Sequence, residues 1–310
     1  MNRLTLLAGA LLLAGQAGAA NFYVDRAGAG NLCSAERPCA RIQTAISLAG
    51  SRDTVHIGAG LYRENLIIGT DKTGLVLQNY GMGEAIIESA GGAREPEAAA
   101  DIILDIRAAE VRILGLGLRH PGGMAVKRDI GVYVRPGANN VTLRNLRIER
   151  RRRGADLEPT RPGSRGILVE GAAGVTIKNN DLIGNYQDHI QVPTGGLLIN
   201  NVVDGATRVG IVVAETAEPL AAEENLIKAN AVSNSGGDGI QIQGDNTVVQ
   251  DNRLVRNRGY GIHLCGYGSS PACVAPGETA IAKDTIVKGN HFESNVQGDV
   301  ADFGANNIVR

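Results

Sequence analysis

The sequence predicts an all-β fold in which short parallel strands are stacked as a solenoid, with three strands in each coil. A phrase that opens on glycine recurs as "RGILVEG", "VGIVVAE", "DGIQIQG" and "YGIHLCG", from residues 165, 209, 238 and 260. With His189 counted in the glycine position of a further copy, the phrases recur about every 22 residues, with one longer interval of 29. Repeats of this length are typical of stacked coils rather than of one closed globule. The chain also contains 42 Gly but only three Phe and no Trp. Such a composition suits many thin layers filled by Val, Ile and Leu better than one thick core.

Two further apolar runs follow each glycine phrase, and they justify the second and third strands of the coil. After residue 171 they read "GVTIKNN" and "DLIGN", and after residue 244 "NTVVQDN" and "RLVRN". Apolar and polar residues alternate over only three to five positions, which is the period of a strand with one buried face. Asparagines recur at one corner, and a stacked amide ladder is favoured there over glycan contacts. These ladder residues are Asn180, Asn201, Asn230, Asn252 and Asn290.

The first 19 residues predict a secretory signal. The stretch "MNRLTLLAGALLLAGQAGAA" has an early Arg3, a leucine-rich run and small residues at Ala17 and Ala19, so cleavage is expected after about Ala19. The mature protein is therefore expected to be exported, to the periplasm or outside the cell. No later run approaches the roughly 20 apolar residues of a membrane span, so none is predicted.

Residues 20–53 form the predicted N-terminal segment with a capping helix, and residues 54–310 the solenoid. In "PCARIQTAISLAGSRD" the residues Ile42, Ala45, Ile46 and Ala49 share one helical face, and Gly50 is a suitable stop. An amphipathic helix here would cover the open end of the first coil, which a solenoid has to protect from water.

Four cysteines form two local pairs, Cys33 with Cys39 and Cys265 with Cys273. Two loop-closing disulfides in an oxidising compartment are favoured over a metal site, because neither pair has C-x-x-C spacing. His56, His120 and His291 are scattered along the chain, so no metal and no cofactor is predicted.

The chain has 31 basic and 32 acidic residues and a net charge of −1, which predicts neither nucleic-acid nor membrane binding. A monomer is expected.

The chain resembles exported right-handed parallel β-helix proteins of the pectin-lyase-like superfamily. The resemblance lies in "FYVD", "CSAERPCARIQTAISLA" and "DTVHIGAGLYRENLII", followed by the "G-I-x-V" and "N-N" coils, and it covers essentially the whole mature chain. It implies a right-handed coil and a polysaccharide partner. It does not imply one reaction, because the superfamily includes lyases, hydrolases, epimerases and non-catalytic sugar binders.

In "G-I-x-V-x" the Ile and Val are predicted to point inward, and the residues before, between and after them outward. In the proteins that this chain resembles, the outer face of the first sheet is the floor of the sugar groove. The outward glycine row is predicted as Gly131, Gly166, His189, Gly210, Gly239 and Gly261. The predicted substrate-binding residues are Tyr133, Gln191 and Gln241 from the second row, and Arg135, Glu170 and Gln243 from the third.

His189 stands in a row of glycines and is therefore the predicted catalytic base, with Tyr186 as acid and Asp188 orienting the ring. "YQDH" is similar to the Tyr, Asp and His segment of mannuronan C5-epimerases and some alginate lyases, where the three residues are spaced over a longer motif. Arg165 and Arg208 lie one coil below and one above, and are predicted to neutralise a uronate carboxylate. The function expected is C5-proton abstraction from an acidic polysaccharide, as a lyase or epimerase.

Three alternatives stay open. A non-catalytic carbohydrate-binding protein of the envelope or matrix fits the few aromatic residues. A hydrolase would need Asp188 and Asp238, two coils or roughly 10 Å apart, which is marginal for paired acids. A maturation factor of the copper-enzyme type shares the fold but finds no ligand cluster. His263 is placed three coils above Gln191 and outside the site, whereas Arg150–Arg153 are expected to overhang the groove.

Overall fold

A computed structural model describes residues 18–91, 100–121, 128–150, 163–184, 186–193, 195–214, 224–266, 273 and 281–310. The predicted signal segment falls almost entirely outside these residues and stays a prediction. Within the described residues, no helix is long and apolar enough to cross a membrane.

The strands stack into three columns that form the sides of a parallel β-helix. Sheet 1 has nine parallel strands, one for each coil. They are β3 (Leu66–Ile68), β5 (Ala100–Ile106), β8 (Arg128–Val134), β11 (Arg165–Val169), β14 (Asp188–Val192), β17 (Val209–Val213), β20 (Ile240–Ile242), β23 (Tyr260–Leu264) and β26 (Gly298–Asp302). Every pairing is between consecutive coils, so residues some twenty positions apart become vertical neighbours about 4.8 Å apart.

The other two columns are joined into one 18-stranded sheet. The second column contains β6 (Arg112–Leu114), β9 (Thr142–Arg144), β12 (Val175–Lys178), β15 (Gly196–Ile199), β18 (Asn225–Lys228), β21 (Thr247–Gln250), β24 (Ile286–Lys288) and β27 (Ile308–Val309). The third contains β7 (Gly117–His120), β10 (Arg147–Arg150), β13 (Asp181–Gly184), β16 (Val202–Asp204), β19 (Ala231–Ser233), β22 (Arg253–Val255) and β25 (His291–Glu293). The first coils contribute β1 (Asn21–Val24) and the longer β2 (Thr54–Arg63) and β4 (Val76–Glu88). Since β4 pairs with both β6 and β7, it joins the two columns.

The core is a stack of aliphatic side chains, as the alternation predicts. Ile167, Ile190, Ile211, Ile240 and Ile262 follow one another through sheet 1, and each is fully buried.

The predicted capping helix is confirmed. Helix α1 (Ile42–Leu48) buries Ile42, Ala45 and Ile46 against the first coil. The Glu64 carboxylate accepts the backbone N–H groups of Ile42 and Gln43 at 2.9 and 3.1 Å, and thereby satisfies donors that a helix start leaves free. Both predicted disulfides are also present, Cys33–Cys39 and Cys265–Cys273.

The asparagine ladder is confirmed as an internal structure. Asn180 donates to the Oδ1 of Asn201 at 3.0 Å, Asn201 to Asn230 at 2.9 Å, and Asn230 to Asn252 at 3.0 Å. Asn252 continues the series to Asn290 at 2.9 Å. Each of the first four is at most 1% exposed, so these amides satisfy the turn and one another rather than contacting a glycan.

The glycine row does not face a groove, and that prediction is wrong. A Cβ at Gly131 would lie 2.5 Å from the carbonyl oxygen of Gly166 and 2.8 Å from Cγ2 of the core residue Ile148. One coil earlier the same row position is occupied by Ile103, which is fully buried in the core. Glycine is therefore used here because the chain passes close to the next coil and to the third column, not to keep a surface clear.

Candidate functional site

The outer face of sheet 1 carries a band of side chains that runs along the stack of coils. It follows the second predicted row, which contains Tyr133, Gln191 and Gln241. Tyr133, Leu168 and Gln191 are consecutive partners in the register, followed by Val212, Gln241 and His263. Because their inward neighbours are Ile and Val, these residues lie on the outer face, as predicted. Three groups of contacts follow one another along this band.

The lower group joins three predicted binding residues, Tyr133, Arg135 and Glu170. The Arg135 guanidinium lies 4.1 Å from the centre of the Tyr133 ring, and the Tyr133 hydroxyl donates to the Glu170 carboxylate. Burial, together with that hydrogen bond, raises the pKa of Tyr133 to about 12, so the phenol stays protonated. Arg135 is bidentate on the buried Asp105, at 2.8 and 3.0 Å, and Arg107 shares this carboxylate. The Arg135 guanidinium, which was predicted to bind substrate, is therefore already paired with a carboxylate of the protein.

The central group brings Arg165, Asp188 and Arg208 together, as their spacing predicts. Asp188 pairs in register with Arg165 and is fully buried. Its Oδ2 lies 3.0 Å from Nη2 of Arg165 and 2.5 Å from Nη2 of Arg208. Arg165 also donates from Nε to Gln191 at 2.6 Å. Asp188 therefore orients two guanidinium groups, and not the His189 ring as predicted.

Arg165 and Arg208 differ in what they can offer a ligand. Burial lowers the pKa of Arg165 while the Asp188 charge opposes that shift, and only 13% of its side chain is exposed. The Arg208 side chain is 30% exposed, and its buried Nε has no hydrogen-bond partner among the described residues. Arg208 is therefore the member of this group that faces solvent.

The placement predicted for His189 and Tyr186 is wrong, because both side chains are fully buried behind sheet 1. Nε2 of His189 lies 2.8 Å from the carbonyl oxygen of Gly184, while its Nδ1 has no partner among the described residues. Burial lowers the pKa of His189, with the Gly184 carbonyl opposing, so the ring is neutral. The Tyr186 hydroxyl contacts His120 at 2.8 Å, two coils away at the corner between the third column and sheet 1. Neither residue is placed to contact a substrate on the outer face.

The upper group contains a pair that sequence reasoning missed. Nδ1 of His263 lies 2.8 Å from Oδ2 of Asp238, and the other Asp238 oxygen accepts the backbone N–H of Tyr260 at 2.8 Å. A carboxylate in this position holds the ring proton on Nδ1 and leaves Nε2 as the basic nitrogen. Nε2 lies 3.4 Å from the sulfur of Cys273, so the disulfide-closed loop is packed against it. The predicted residue Gln241 is the register partner of His263 and contacts Asp238 at 3.4 Å. Gln243, also predicted, donates to Gln241 at 3.0 Å.

An open pocket lies next to this pair. Its lining includes Arg208, Asp238, Arg258 and His263, together with glycines and Gln297. Arg258 is exposed, and no carboxylate pairs with it among the described residues. The pocket therefore combines a positive charge without a partner, a second arginine that faces solvent, and an oriented imidazole.

The Asp238–His263 pair could have been found from the sequence. Asp238 and Tyr260 open consecutive glycine phrases, and His263 follows Tyr260 by three positions, on the outer face beside Gln241.

The metal alternative for Cys265 and Cys273 is not supported, since both sulfurs are joined in their disulfide. Of the residues expected to overhang the groove, Arg150 is held by Asp129 at 2.5 Å, and residues 151–153 lie outside the described part of the chain.

Comparison with known proteins supports the fold. Residues 125–273 match a family described as a right-handed beta helix region. Pectate lyase Pel9A superposes with a TM-score of 0.63 at 13% identity, over 94% of this chain and 79% of that one. A rhamnogalacturonan lyase gives 0.59 at 13% identity, with coverages of 91% and 86%. The A-module of Azotobacter vinelandii mannuronan C-5 epimerase AlgE4 gives 0.51 at 17%, with coverages of 93% and 100%.

A search of curated proteins found no match. The identities to the solved structures are low, so these likenesses establish architecture and leave the reaction open. The chain therefore has the right-handed parallel β-helix fold.

Proposed function

We propose that this right-handed β-helix protein is exported and acts on an acidic, uronate-containing polysaccharide that binds across the outer face of sheet 1. The observation that carries the proposal is the pocket in which the Asp238–His263 pair lies beside Arg208 and Arg258. Two disulfides are consistent with export. The fold is shared with lyases and an epimerase, which supports a polysaccharide as partner without identifying the reaction.

The chemistry proposed is removal of the C5 proton of a uronate. Arg258 and Arg208 bind the carboxylate and stabilise the negative charge that develops when the C5–H bond breaks. Nε2 of His263 accepts the proton, and Asp238 stabilises the resulting imidazolium through Nδ1–H. In a lyase the proton is then delivered to O4 as the C4–O4 bond breaks and a C4–C5 double bond forms. In an epimerase a second donor returns a proton to the opposite face of C5.

The test is incubation of the purified protein with alginate, pectate and glycosaminoglycans. Ultraviolet absorbance of unsaturated ends reports the lyase reaction, and deuterium incorporation at C5 in D₂O reports epimerisation. We expect His263→Gln to lose at least about 100-fold in turnover while keeping substrate affinity, since general acid–base catalysis contributes about 10²–10⁴-fold. Equal turnover in His263→Gln would overturn the assignment of the base.

Arg258→Gln should weaken binding of the polyanion and reduce its salt dependence. Arg253→Gln is the matched control, because Arg253 is also exposed but lies in the third column, paired with Glu293 at 2.7 Å. If both variants bind equally, the pocket is not the binding site. If neither binding nor turnover occurs across the panel, the proposal fails.

A non-catalytic carbohydrate-binding protein is the second candidate. The observation that favours it is burial, because among the described histidines of sheet 1, His189 and His263 are at most 1% exposed. Saturable binding that depends on Arg258, with no unsaturated product and no deuterium incorporation, would identify this function.

A further inference from the structure

A second cluster of titratable side chains lies at a different corner, where the third column leads back into sheet 1. His120 ends β7, Asp101 and Asp129 lie at the starts of β5 and β8, and Tyr186 precedes β14. Asp101, His120 and Asp129 are 5%, 2% and 5% exposed. None of them faces the pocket beside His263, and the function proposed above does not use them.

The geometry of this cluster matches the first coordination sphere of a metal ion. One ligand atom from each of Asp101, His120 and Asp129 lies within 4.8 Å of the others. Nε2 of His120 and Oδ2 of Asp101 are 3.8 Å apart. Two ligands each about 2.1 Å from one ion lie about 3.4 Å apart in a tetrahedron and about 4.2 Å apart when opposite, so the observed separation is compatible with both binding the same ion.

The charges of the cluster favour a cation. Asp129 is paired with Arg150 at 2.5 Å, but among the described residues no Lys or Arg pairs with Asp101. The partners of the Asp101 carboxylate are neutral, Asn65 at 2.8 Å and Ser89 at 2.5 Å. One negative charge therefore remains in a buried site, where an uncompensated carboxylate is costly.

The surroundings hold the ligands in the orientation that metal sites use. Nε2 of His120 faces the cluster, 3.8 Å from Oδ2 of Asp101 and 3.2 Å from the backbone carbonyl oxygen of the same residue. Nδ1 of His120 lies 2.8 Å from the Tyr186 hydroxyl. A hydrogen bond on the far nitrogen of a metal-binding histidine fixes the tautomer and directs the other nitrogen to the ion.

We propose that Asp101, His120 and Asp129 bind one divalent transition-metal ion, with Tyr186 positioning the histidine. Two carboxylates and one imidazole are a donor set suited to Zn²⁺ or Mn²⁺. The ion connects β5, β7 and β8 at the corner where the third column leads back into sheet 1. Such a link stabilises the folded protein.

The experiment is metal binding by the full protein after removal of bound metal with a chelator. Isothermal titration with ZnCl₂ and with MnCl₂ should give one ion per chain for at least one of the two metals, and the melting temperature should rise with that metal. His120→Gln should lose at least about 100-fold in affinity, and Tyr186→Phe about 10–100-fold, as outer partners of metal ligands do. His291→Gln, which changes an exposed histidine in β25, is the control and should bind as the unchanged protein does.

The unchanged protein itself keeps the proposal falsifiable if a variant fails to fold. Absence of stoichiometric Zn²⁺ and Mn²⁺ binding by the folded protein would overturn the proposal. The remaining negative charge of Asp101 and Asp129 would then be balanced by a proton that the two carboxylates share. Unaltered affinity in a folded His120→Gln variant would place the ion elsewhere and overturn it as well. Both readouts are independent of polysaccharide turnover, so they do not depend on the function proposed above.

Discussion

Replacing Asn201 by alanine measures how far the asparagine ladder stabilises the stacked coils. The Asn201 side chain makes four hydrogen bonds in a site that is 1% exposed. Its Oδ1 accepts the backbone N–H and the side-chain Nδ2 of Asn180, both at 3.0 Å. Its Nδ2 donates to the carbonyl of Ile177 and to Asn230, both at 2.9 Å.

The expected cost follows from the groups that the substitution leaves unpaired. The Asn180 N–H and the Ile177 carbonyl each lose this partner in a buried position, whereas Asn230 still accepts the backbone N–H of residue 201 at 2.9 Å. A buried polar group without a partner costs about 1–3 kcal/mol. Asn201→Ala should therefore lower the free energy of unfolding by about 2–6 kcal/mol.

Urea denaturation followed by far-ultraviolet circular dichroism gives this free energy, and Asn290→Ala is the matched control. Asn290 occupies the same corner at the upper end of the ladder, but it is partly exposed, so that water can replace part of its hydrogen bonding. Its cost should be clearly smaller. A loss below about 0.5 kcal/mol for Asn201→Ala, the range of ordinary surface substitutions, would show that the ladder does not stabilise the stack. Equal losses in the two variants would contradict the expected difference between them.

Three further predictions concern the glycine row and the buried histidines. Gly166→Ala places a Cβ 2.6 Å from the carbonyl oxygen of His189 and 2.9 Å from Cδ2 of Leu182, and should cost about 1–3 kcal/mol in urea denaturation; an unchanged midpoint would contradict this. His189→Gly removes a fully buried ring and should cost about 2–5 kcal/mol by the same measurement, although five other coils carry glycine there; a gain in stability would show that the ring is not packed. Burial lowers the pKa of His120 and of His189 in the folded protein, whereas both have the ordinary value of about 6.5 in the unfolded chain. Below about pH 6.5 the unfolded chain therefore binds more protons than the folded protein does. Stability should thus be constant near pH 7.5 and fall below pH 6.5, by at most about 1.4 kcal/mol per pH unit for each ring, and a flat profile between pH 7.5 and 5 would contradict the assignment.

The fold could be predicted because every coil repeats the same local requirements. Gly166, Gly210 and Gly239 recur where the backbone meets the next coil, and Asn201 and Asn230 recur where a turn has to satisfy its own amides. A period of about 22 residues then identifies vertical neighbours without coordinates. The same arithmetic correctly placed Arg165 and Arg208 on either side of Asp188.

The direction of the glycine row was not predictable from strand alternation. Alternation assigns successive residues to opposite faces. Here Ile103 and Leu104 are consecutive, and both are fully buried in the core. The strand departs from simple alternation at this row, and His189 therefore turns inward with it. No local signal separates a glycine that leaves space for a ligand from one that the next coil requires.

Stacked coils, the capping helix, the two disulfides and the polar outer row of sheet 1 could all be predicted before any coordinates, because each depends on residues that recur at fixed spacing or lie close along the chain. Which side chains meet diagonally became visible only in three dimensions. His263 reaches Asp238 across one coil, and His120 reaches Tyr186 over 66 positions, past the intervening coil. Such contacts depend on side-chain length and on the corner at which each strand ends, and a repeat period specifies neither.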